Sequence, residues 1–287
     1  MMDRIAFLGP PGTFSHEAAV NWARRVNPAG QENSAAFLAC TDLPEVLAAV
    51  HNGKAKLALL PVENSIEGAV NLTLDLILAE KGLQVIGEVV LPVCHCLLGQ
   101  SSEIAAIKEV WSHPQALAQC RHYLATHLPT AKLKAVTSTA EAVREACQRP
   151  GLAAIGSAFA ARLYRLPVIA AGIQDYQDNK TRFWVLGQEA PSSPGPWKTS
   201  LVVAALANRP GSLYAILQHF AAAGINLTRI ESRPTKKELG EYLFFIDCEG
   251  HAHQDPLQGV LDTLQEQTAL LKVLGSYAQD RGEALCS

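Results

Sequence analysis

The stretch "DNKTRFWVLG", Asp178–Gly187, runs a polar segment straight into Phe183, Trp184, Val185 and Leu186. Asn179, Thr181 and Arg182 offer an amide, a hydroxyl and a cation within four residues at the mouth of a strand. Loop ends held by rigid strands commonly carry chemistry. On spacing alone, a turn with a solvated Lys180 and Arg182 is the default. Four further turns follow strand-like runs and lead into helices: "GPPGTFSHEA" (Gly9–Ala18), "PVENSIEGAV" (Pro61–Val70), "SHPQAL" (Ser112–Leu117) and "IGSAFAA" (Ile155–Ala161). A helix start presents unbonded N–H groups and a positive dipole end, so it attracts anions. Four such starts aimed at one cleft would suit a small substrate with several carboxylates. Each one alone reads first as ordinary capping by Ser, Thr or Asn. Gly9–Gly12 matches neither a P-loop nor a dinucleotide fingerprint. His113 precedes a proline and reads as extended loop. Glu63 and Glu67 are acid–base candidates, but Glu67 reads first as a solvated or capping charge at a helix start. Cys94-His95-Cys96 sits in an apolar run with no second pair of zinc-like spacing, so a metal site is disfavoured.

The elements that must position these groups alternate. Strand runs at 5–8, 36–39, 57–60, 83–98, 109–111, 133–136, 153–155 and 168–171 are separated by helical runs at 14–25, 43–51, 69–80, 115–126, 139–148 and 158–164. That order predicts an open α/β sheet with helices on both faces. "GQEAPSSPGPWKT", Gly187–Thr199, is rich in Pro, Ser and Gly and reads as a linker. Beyond it the order is strand 201–207, helix 212–223, strands 226–232 and 242–248, helix 256–267 and strand 270–277, a βαββαβ ferredoxin-like plan.

The chain has 287 residues, enough for about two domains. At 48% hydrophobic and 18% charged it can build a sizeable core, and a net charge of -3 gives no general attraction to nucleic acid. No apolar run approaches the ~20 residues of a membrane span, and the start has no signal-like apolar segment. Seven scattered cysteines, an odd number, read as reduced thiols in a cytoplasmic protein.

Taken in order, "GPPGTFSHEAA", "LLPVENSIEG", "SHPQALAQC" and "NKTRFWVLG" resemble the successive signatures of the prephenate dehydratases, and "RPGSLYAILQHFAAAGINLTRIESRP" resembles the ACT regulatory domain that follows in that family. The resemblance covers nearly the whole chain. It implies a catalytic domain at 1–187 like a type 2 periplasmic binding protein, with one lobe at about 1–80 and 167–187 and the other at about 81–166. A linker at 188–198 and an ACT domain at 199–287 would follow. The implied reaction removes water and CO2 from prephenate, leaving phenylpyruvate, in phenylalanine biosynthesis. Aromatisation drives it, so no cofactor or metal is implied. Thr181 corresponds to the family's essential threonine, and we expect it to bind the departing oxygen directly or within a proton relay. Phe183 is expected to fix the loop by packing. Asn64, Ser65, Gln115, Ser157 and Asn179 are the candidates for substrate binding, with Thr13 and Ser15 behind them. Arg182 either pairs with a substrate carboxylate or braces the lobes.

In the ACT domain the resemblance implies phenylalanine bound between two copies. The contacts would come from Gly211, Ser212 and Leu213, Asn226 and Leu227, and Glu231, Ser232 and Arg233 of the intact "ESRP". The family's GALV reads Gly-Ser-Leu-Tyr here, with Tyr214 much larger than valine. A homodimer or homotetramer through ACT and catalytic domains is expected, with no nucleic-acid or membrane partner. No helical chorismate mutase segment precedes Ile5, which suggests a monofunctional enzyme. The alternatives are an arogenate dehydratase and a non-catalytic amino-acid-sensing binding protein.

Overall fold

The computed structural model describes residues 4–27, 36–101, 103–189, 195–236, 240–280 and 282. The middle of the expected linker, 190–194, and Cys286 lie outside them. Three sheets organise the chain. The first has the order β2 (Phe37–Cys40), β1 (Ile5–Leu8), β3 (Leu57–Asn64), β11 (Lys180–Gly187), β5 (Gln84–Pro92), with the short β4 (Gly68–Ala69) on β3. The second has the order β10 (Val168–Ala171), β6 (Cys96–Gly99), β9 (Leu152–Gly156), β7 (Glu109–Ser112), β8 (Lys132–Ala135). β2 and β3 both run parallel to β1, and β8 and β9 both run parallel to β7, as strand–helix–strand alternation requires.

Helices cover both faces of the second sheet. Cys96, Leu98, Trp111 and Ala154 pack toward α6 (Thr139–Ala146) and α7 (Ala158–Tyr164). Their strand neighbours Leu97, Val110, Ala153 and Ile155 pack toward α4 (Pro114–Gln119) and α5 (Arg121–His127). This is the period-2 alternation of strands buried on both sides. The single expected helix 115–126 breaks at Cys120, whose φ of -115° and ψ of 18° leave the helical region. The expected strand 83–98 is two strands that join different sheets. So β5 belongs to the first sheet and β10 to the second, and the chain changes sheets near 92–96 and 171–180 rather than at 80 and 167. Runs of similar hydrophobicity do not reveal which sheet a strand joins.

Pro61 does not end β3. It falls between Leu57–Leu59, registered to β1, and Glu63–Asn64, registered to β4, where a missing N–H is tolerated. The expected helix from Ala69 starts only at Asn71, as α3 (Asn71–Ala79), because Gly68 and Ala69 pair with β3. α1 (Phe14–Val26) is capped by Thr13 and α2 (Leu43–His51) by Asp42.

The C-terminal sheet has the order β13 (Leu227–Pro234), β14 (Tyr242–Glu249), β12 (Trp197–Ala205), β15 (Thr268–Ala278), with every pairing antiparallel. α8 (Ser212–Ala222) and α9 (Leu257–Gln267) cover one face through Ile216, Phe220, Leu261 and Leu264 against Leu201, Val203 and Ile246. The strand begins at Trp197, so the expected linker is shorter at its C-terminal end. The chain divides into two compact units, Met1–Val70 with Val89–Phe183 and Gly282–Ser287, and Asn71–Glu88 with Trp184–Arg281. Cys94 is disulfide-bonded, against the expectation of reduced thiols throughout, while Cys40, Cys96, Cys120, Cys147 and Cys248 are free. Scattered spacing does not reveal which cysteines pair.

Candidate active site

A cavity of about 280 Å³ opens within the first unit where the C-terminal ends of parallel strands from both sheets meet helix starts. Such ends are the usual ligand positions of α/β sheets. Thr13 and Ser15 reach it from the start of α1, His113 and Gln115 from α4, and Thr137, Ser138 and Thr139 from α6. Asn64 comes from the end of β3, Thr181 from β11 and Asn179 from the residue before it; Val93, His95 and Gln119 also line the wall. No Lys, Arg, Asp or Glu lines it among the described residues.

Three helix starts meet here, but not the set the sequence suggested. The turn after Asn64 enters β4 rather than a helix, and Ser157 does not line the cavity. Its Oγ accepts from the Ala160 N–H at 3.1 Å, capping α7, and it bonds Glu17. The third start belongs to α6, where Ser138 Oγ accepts from the Glu141 N–H (3.0 Å) and Glu141 accepts from Thr137 N–H (2.9 Å). This reciprocal cap holds the Thr137–Thr139 turn against the cavity. His113 is likewise a cap, its Nδ1 accepting from the Gln115 N–H at 3.3 Å. The Gly9–Gly12 turn is fixed from three sides. Thr13 Oγ donates to Leu8 O (3.1 Å), Tyr164 Oη donates to Pro11 O (2.7 Å), and Gly12 N–H donates to His16 Nδ1 (3.1 Å). Gly12 has φ +91°, and a Cβ there would sit 2.7 Å from the Tyr164 ring, so only glycine fits. His16 stacks on Phe7, and burial pulls its pKa down to about 4, so it accepts as a neutral ring.

One amide sets the direction of the polar network. Asn64 Oδ1 accepts from the backbone N–H groups of Ile66 and Glu67, both at 3.0 Å. Backbone N–H groups can only donate, so Asn64 Nδ2 must face the other way. It donates to Asn179 Oδ1 at 2.8 Å and to Thr181 Oγ at 2.9 Å. Thr181 therefore receives a hydrogen bond from the protein and keeps its own proton for another acceptor. Asn179 Oδ1 being an acceptor, Asn179 Nδ2 donates to Gln119 Oε1 at 3.0 Å. His95 Nε2 lies 3.1 Å from the same oxygen and must carry the hydrogen. Burial pulls the His95 pKa below the usual range, against the Gln119 bond, so the ring is neutral with its lone pair on Nδ1.

The remaining candidates brace rather than line. Ser65 is exposed; its N–H donates to Lys180 O and its Oγ accepts from Lys180 N–H, each at 2.9 Å. Arg182 donates to Glu63 Oε2 at 2.9 Å, joining β11 to β3 away from the cavity. Phe183 is buried at 1% exposure and packs inside. Glu67 is exposed, its N–H held by Asn64. Reading the sequence missed His95, Gln119 and the α6 start as cavity groups, although "CHC" and "SHPQALAQC" had drawn notice to the first two segments.

In the C-terminal domain Gly211, Ser212 and Leu213 line a second cavity of about 890 Å³, together with Tyr214. Gly211, at φ +86°, opens α8, a conformation that glycine adopts without strain. Asn226, Leu227, Glu231, Ser232 and Arg233 do not line this cavity within one chain. Asn226 bonds Glu249 (3.3 Å), Leu227 packs on the core, and Arg233 pairs with Asp75 of α3 at 2.8 Å.

A family model described as prephenate dehydratase matches residues 5–191, and one described as an ACT domain matches 199–265. A prephenate dehydratase of Methanocaldococcus jannaschii is 39% identical over 281 residues, covering 96% of this chain and 98% of that one. The crystal structure of a prephenate dehydratase from Arthrobacter aurescens in complex with L-Phe superposes with a TM-score of 0.84 at 36% identity, covering 96% and 90% of the two chains. A structure titled GqqA, a novel type of quorum quenching acylase, superposes with a TM-score of 0.81 at 32% identity, covering 96% and 98%.

Proposed function

Since the chain belongs to the prephenate dehydratase family, with an ACT domain behind its first region, we propose that the Asn64–Thr181 cavity is where its reaction takes place. It is a lyase that converts prephenate to phenylpyruvate, water and CO2. The ring carboxylate leaves as CO2, its electron pair moves through the diene, and the C–O bond breaks with its pair on the oxygen. That oxygen takes up a proton and departs as water. The protein must hold two carboxylates, desolvate one of them, and give a donor to the oxygen.

The observation that carries this reading is the Asn64 Nδ2 to Thr181 Oγ bond. It leaves the threonine hydrogen free to donate to the leaving hydroxyl, directly or as the last member of a relay from solvent. A preorganised donor of this kind is worth ~10²–10³ in rate. Neutral hydroxyls, amides and helix starts suit the carboxylates. A fixed cation beside the ring carboxylate would stabilise the charge that must be lost, so its absence from the wall among the described residues favours decarboxylation. Gln115, Thr13 and Ser15 are the binding groups this reading retains. Ser157, Ser65, Arg182 and Phe183 become supports. Acyl transfer, the chemistry in the GqqA title, needs a nucleophile with a base on it. Thr181 instead accepts from an amide, and His95 and His113 bond other groups.

The domains follow as catalytic at 1–187 and ACT from 199. Phenylalanine is the proposed effector, at the cavity beside Gly211–Leu213. One chain supplies that segment but not "ESRP" to the cavity, so a second copy donating its β13 supports a homodimer. A cytoplasmic location fits this chemistry; no helix among the described residues is long and apolar enough to cross a membrane. The test offers prephenate and arogenate separately to the purified protein and follows phenylpyruvate and phenylalanine. Release of phenylpyruvate supports the reading. Exclusive use of arogenate would transfer the mechanism to the amino substrate, and turnover of neither by folded protein would refute it.

A further inference from the structure

The acceptor atoms on the cavity wall are already engaged by the protein. Asn64 Oδ1 takes the hydrogens of the Ile66 and Glu67 N–H groups, and Gln119 Oε1 takes those of Asn179 Nδ2 and His95 Nε2. Asn179 Oδ1 and Thr181 Oγ both accept from Asn64 Nδ2. Ser138 Oγ accepts from the Glu141 N–H. His113 Nδ1 accepts from the Gln115 N–H, so its other ring nitrogen can only donate. What these residues keep is hydrogen: the hydroxyl hydrogens of Thr181 and Ser138, and the second N–H of His113. The starts of α1 and α6 add backbone N–H groups rather than carbonyls. No carboxylate lines the cavity among the described residues. The wall is therefore rich in donors and poor in acceptors.

Prephenate and arogenate share the ring, its hydroxyl and two carboxylates, and differ at one side-chain carbon. Prephenate carries a ketone there, with lone pairs and no hydrogen to give. Arogenate carries an ammonium, with three hydrogens and no lone pair. A ketone oxygen finds partners on a wall of donors. An ammonium finds few, and a charge taken from water without an acceptor is costly. The hydroxyl oxygens of Thr181 and Ser138 each keep one more lone pair, but a neutral hydroxyl offers a cation much less than a carboxylate does. The positive ends of the helix starts favour the carboxylates and oppose the ammonium. We propose that this one-sided polarity makes the site selective for a keto acid over the corresponding amino acid, so that arogenate is rejected through its ammonium group. The inference rests on the reading of this cavity as the prephenate site and deepens it. Whatever holds the two shared carboxylates acts on both substrates and cancels in the comparison.

The test measures kcat/KM for prephenate and for arogenate, from initial rates of phenylpyruvate and phenylalanine release. At pH 7 the ratio for wild type is expected to favour prephenate at least ~10-fold, since a buried charge is left without its partners in arogenate. At pH 9 much of the amine has lost its proton and presents a lone pair to the donors, so the ratio is expected to fall at least ~5-fold. A site that excluded arogenate by size would not respond. Gln115→Glu places a carboxylate on the wall at a half-buried position. Its repulsion of the shared carboxylates acts on both substrates, while its attraction acts on the ammonium alone, and the ratio is expected to fall at least ~10-fold. The pH comparison on wild type carries the test if this variant does not fold. A wild-type ratio near one, a ratio that favours arogenate, or a preference for prephenate unmoved by both the pH and a folded Gln115→Glu overturns the proposal and leaves the lyase reading in place. Turnover of neither substrate by folded wild type overturns the substrate reading, and this inference with it.

Discussion

Asn64 governs the site at the level of single residues because two backbone N–H groups fix its orientation. Asn64→Asp presents an oxygen where Nδ2 now donates. The Thr181 hydroxyl would then donate back to position 64 and lose its proton to the protein. We expect kcat to fall ~10²-fold, with a smaller change in KM, while the fold survives; steady-state assays beside circular dichroism check this. Wild-type kcat in Asn64→Asp would contradict the directional account. Glu17 gives a pH prediction. Burial, opposed by Arg162, Ser157 and Arg24, pushes its pKa up to about 7. The folded state therefore holds a proton that the unfolded chain releases above about pH 4.5. That contribution is complete below pH 4.5 and is lost as pH rises through about 7. Glu17→Gln keeps the neutral form, so its stability relative to wild type should increase from pH 5 to pH 8 by on the order of 1–3 kcal/mol. Urea titrations at the two pH values measure it, and an equal gap at both would count against a buried, proton-holding Glu17. At this scale Asn64, Asn179, Thr181 and Gln115 were legible in the sequence because they sit in compact motifs. His95 and Gln119 were not, because their roles come from partners brought in by folding, such as Asn179 60 positions from Gln119.

Elements place these residues through their ends. α1, α4 and α6 each present a capped start to the cavity, and the caps are local hydrogen bonds written into short sequences. Ser138→Ala removes the α6 cap. A loss of ~1 kcal/mol in a denaturant titration is expected, with a raised KM because the Thr137–Thr139 turn loosens; an unchanged KM would mean that this turn does not touch substrate. Most strands and helices lay within a few residues of where hydrophobic periodicity predicted them. The misplacements have physical causes. Pro61 lies between two registers, Cys120 breaks a helix whose apolar pattern continues across it, and β5 and β10 join the sheets opposite to those expected. Pairing partners are non-local, and a strand's own residues carry little information about them.

On the scale of the whole molecule, the segments that follow Asn64 and Thr181 fold with the C-terminal domain. Asn71–Glu88 and Trp184–Gly187 belong to the unit that contains the four-stranded sheet. There Asp75 of α3 is held by Arg233 (2.8 Å) and Lys236 (2.7 Å), and Trp184 Nε1 donates to Tyr277 Oη (3.2 Å). Tyr277 Oη in turn lies 2.6 Å from Ser200 Oγ, which donates to Asp247 at 2.6 Å. Both strands that carry the polar network thus continue into elements bonded to the effector domain. If phenylalanine engages Arg233 of "ESRP", it does so at a residue already committed to Asp75. Asp75→Asn is therefore expected to leave phenylalanine binding measurable by calorimetry but to weaken its inhibition ~3–10-fold, within the usual range of coupling energies. Inhibition identical to wild type would remove Asp75 from the coupling. The two-domain plan was legible from alternation followed by βαββαβ order and a Pro-rich break. The assignment of α3 and of the first part of β5, to Glu88, to the effector unit was not, because compact units follow contacts rather than chain order.

The measurement that bears most directly on the account is phenylpyruvate release from prephenate by wild type, Thr181→Ser and Thr181→Val, each shown to be folded. Wild type is expected to turn over prephenate, the serine variant, which keeps the hydroxyl beside Asn64, to retain substantial activity, and the valine variant, which keeps the shape without the donor, to lose ~10²–10³ in kcat. Near-wild-type turnover by Thr181→Val would contradict it and leave the Asn64–Thr181 bond a strand clasp.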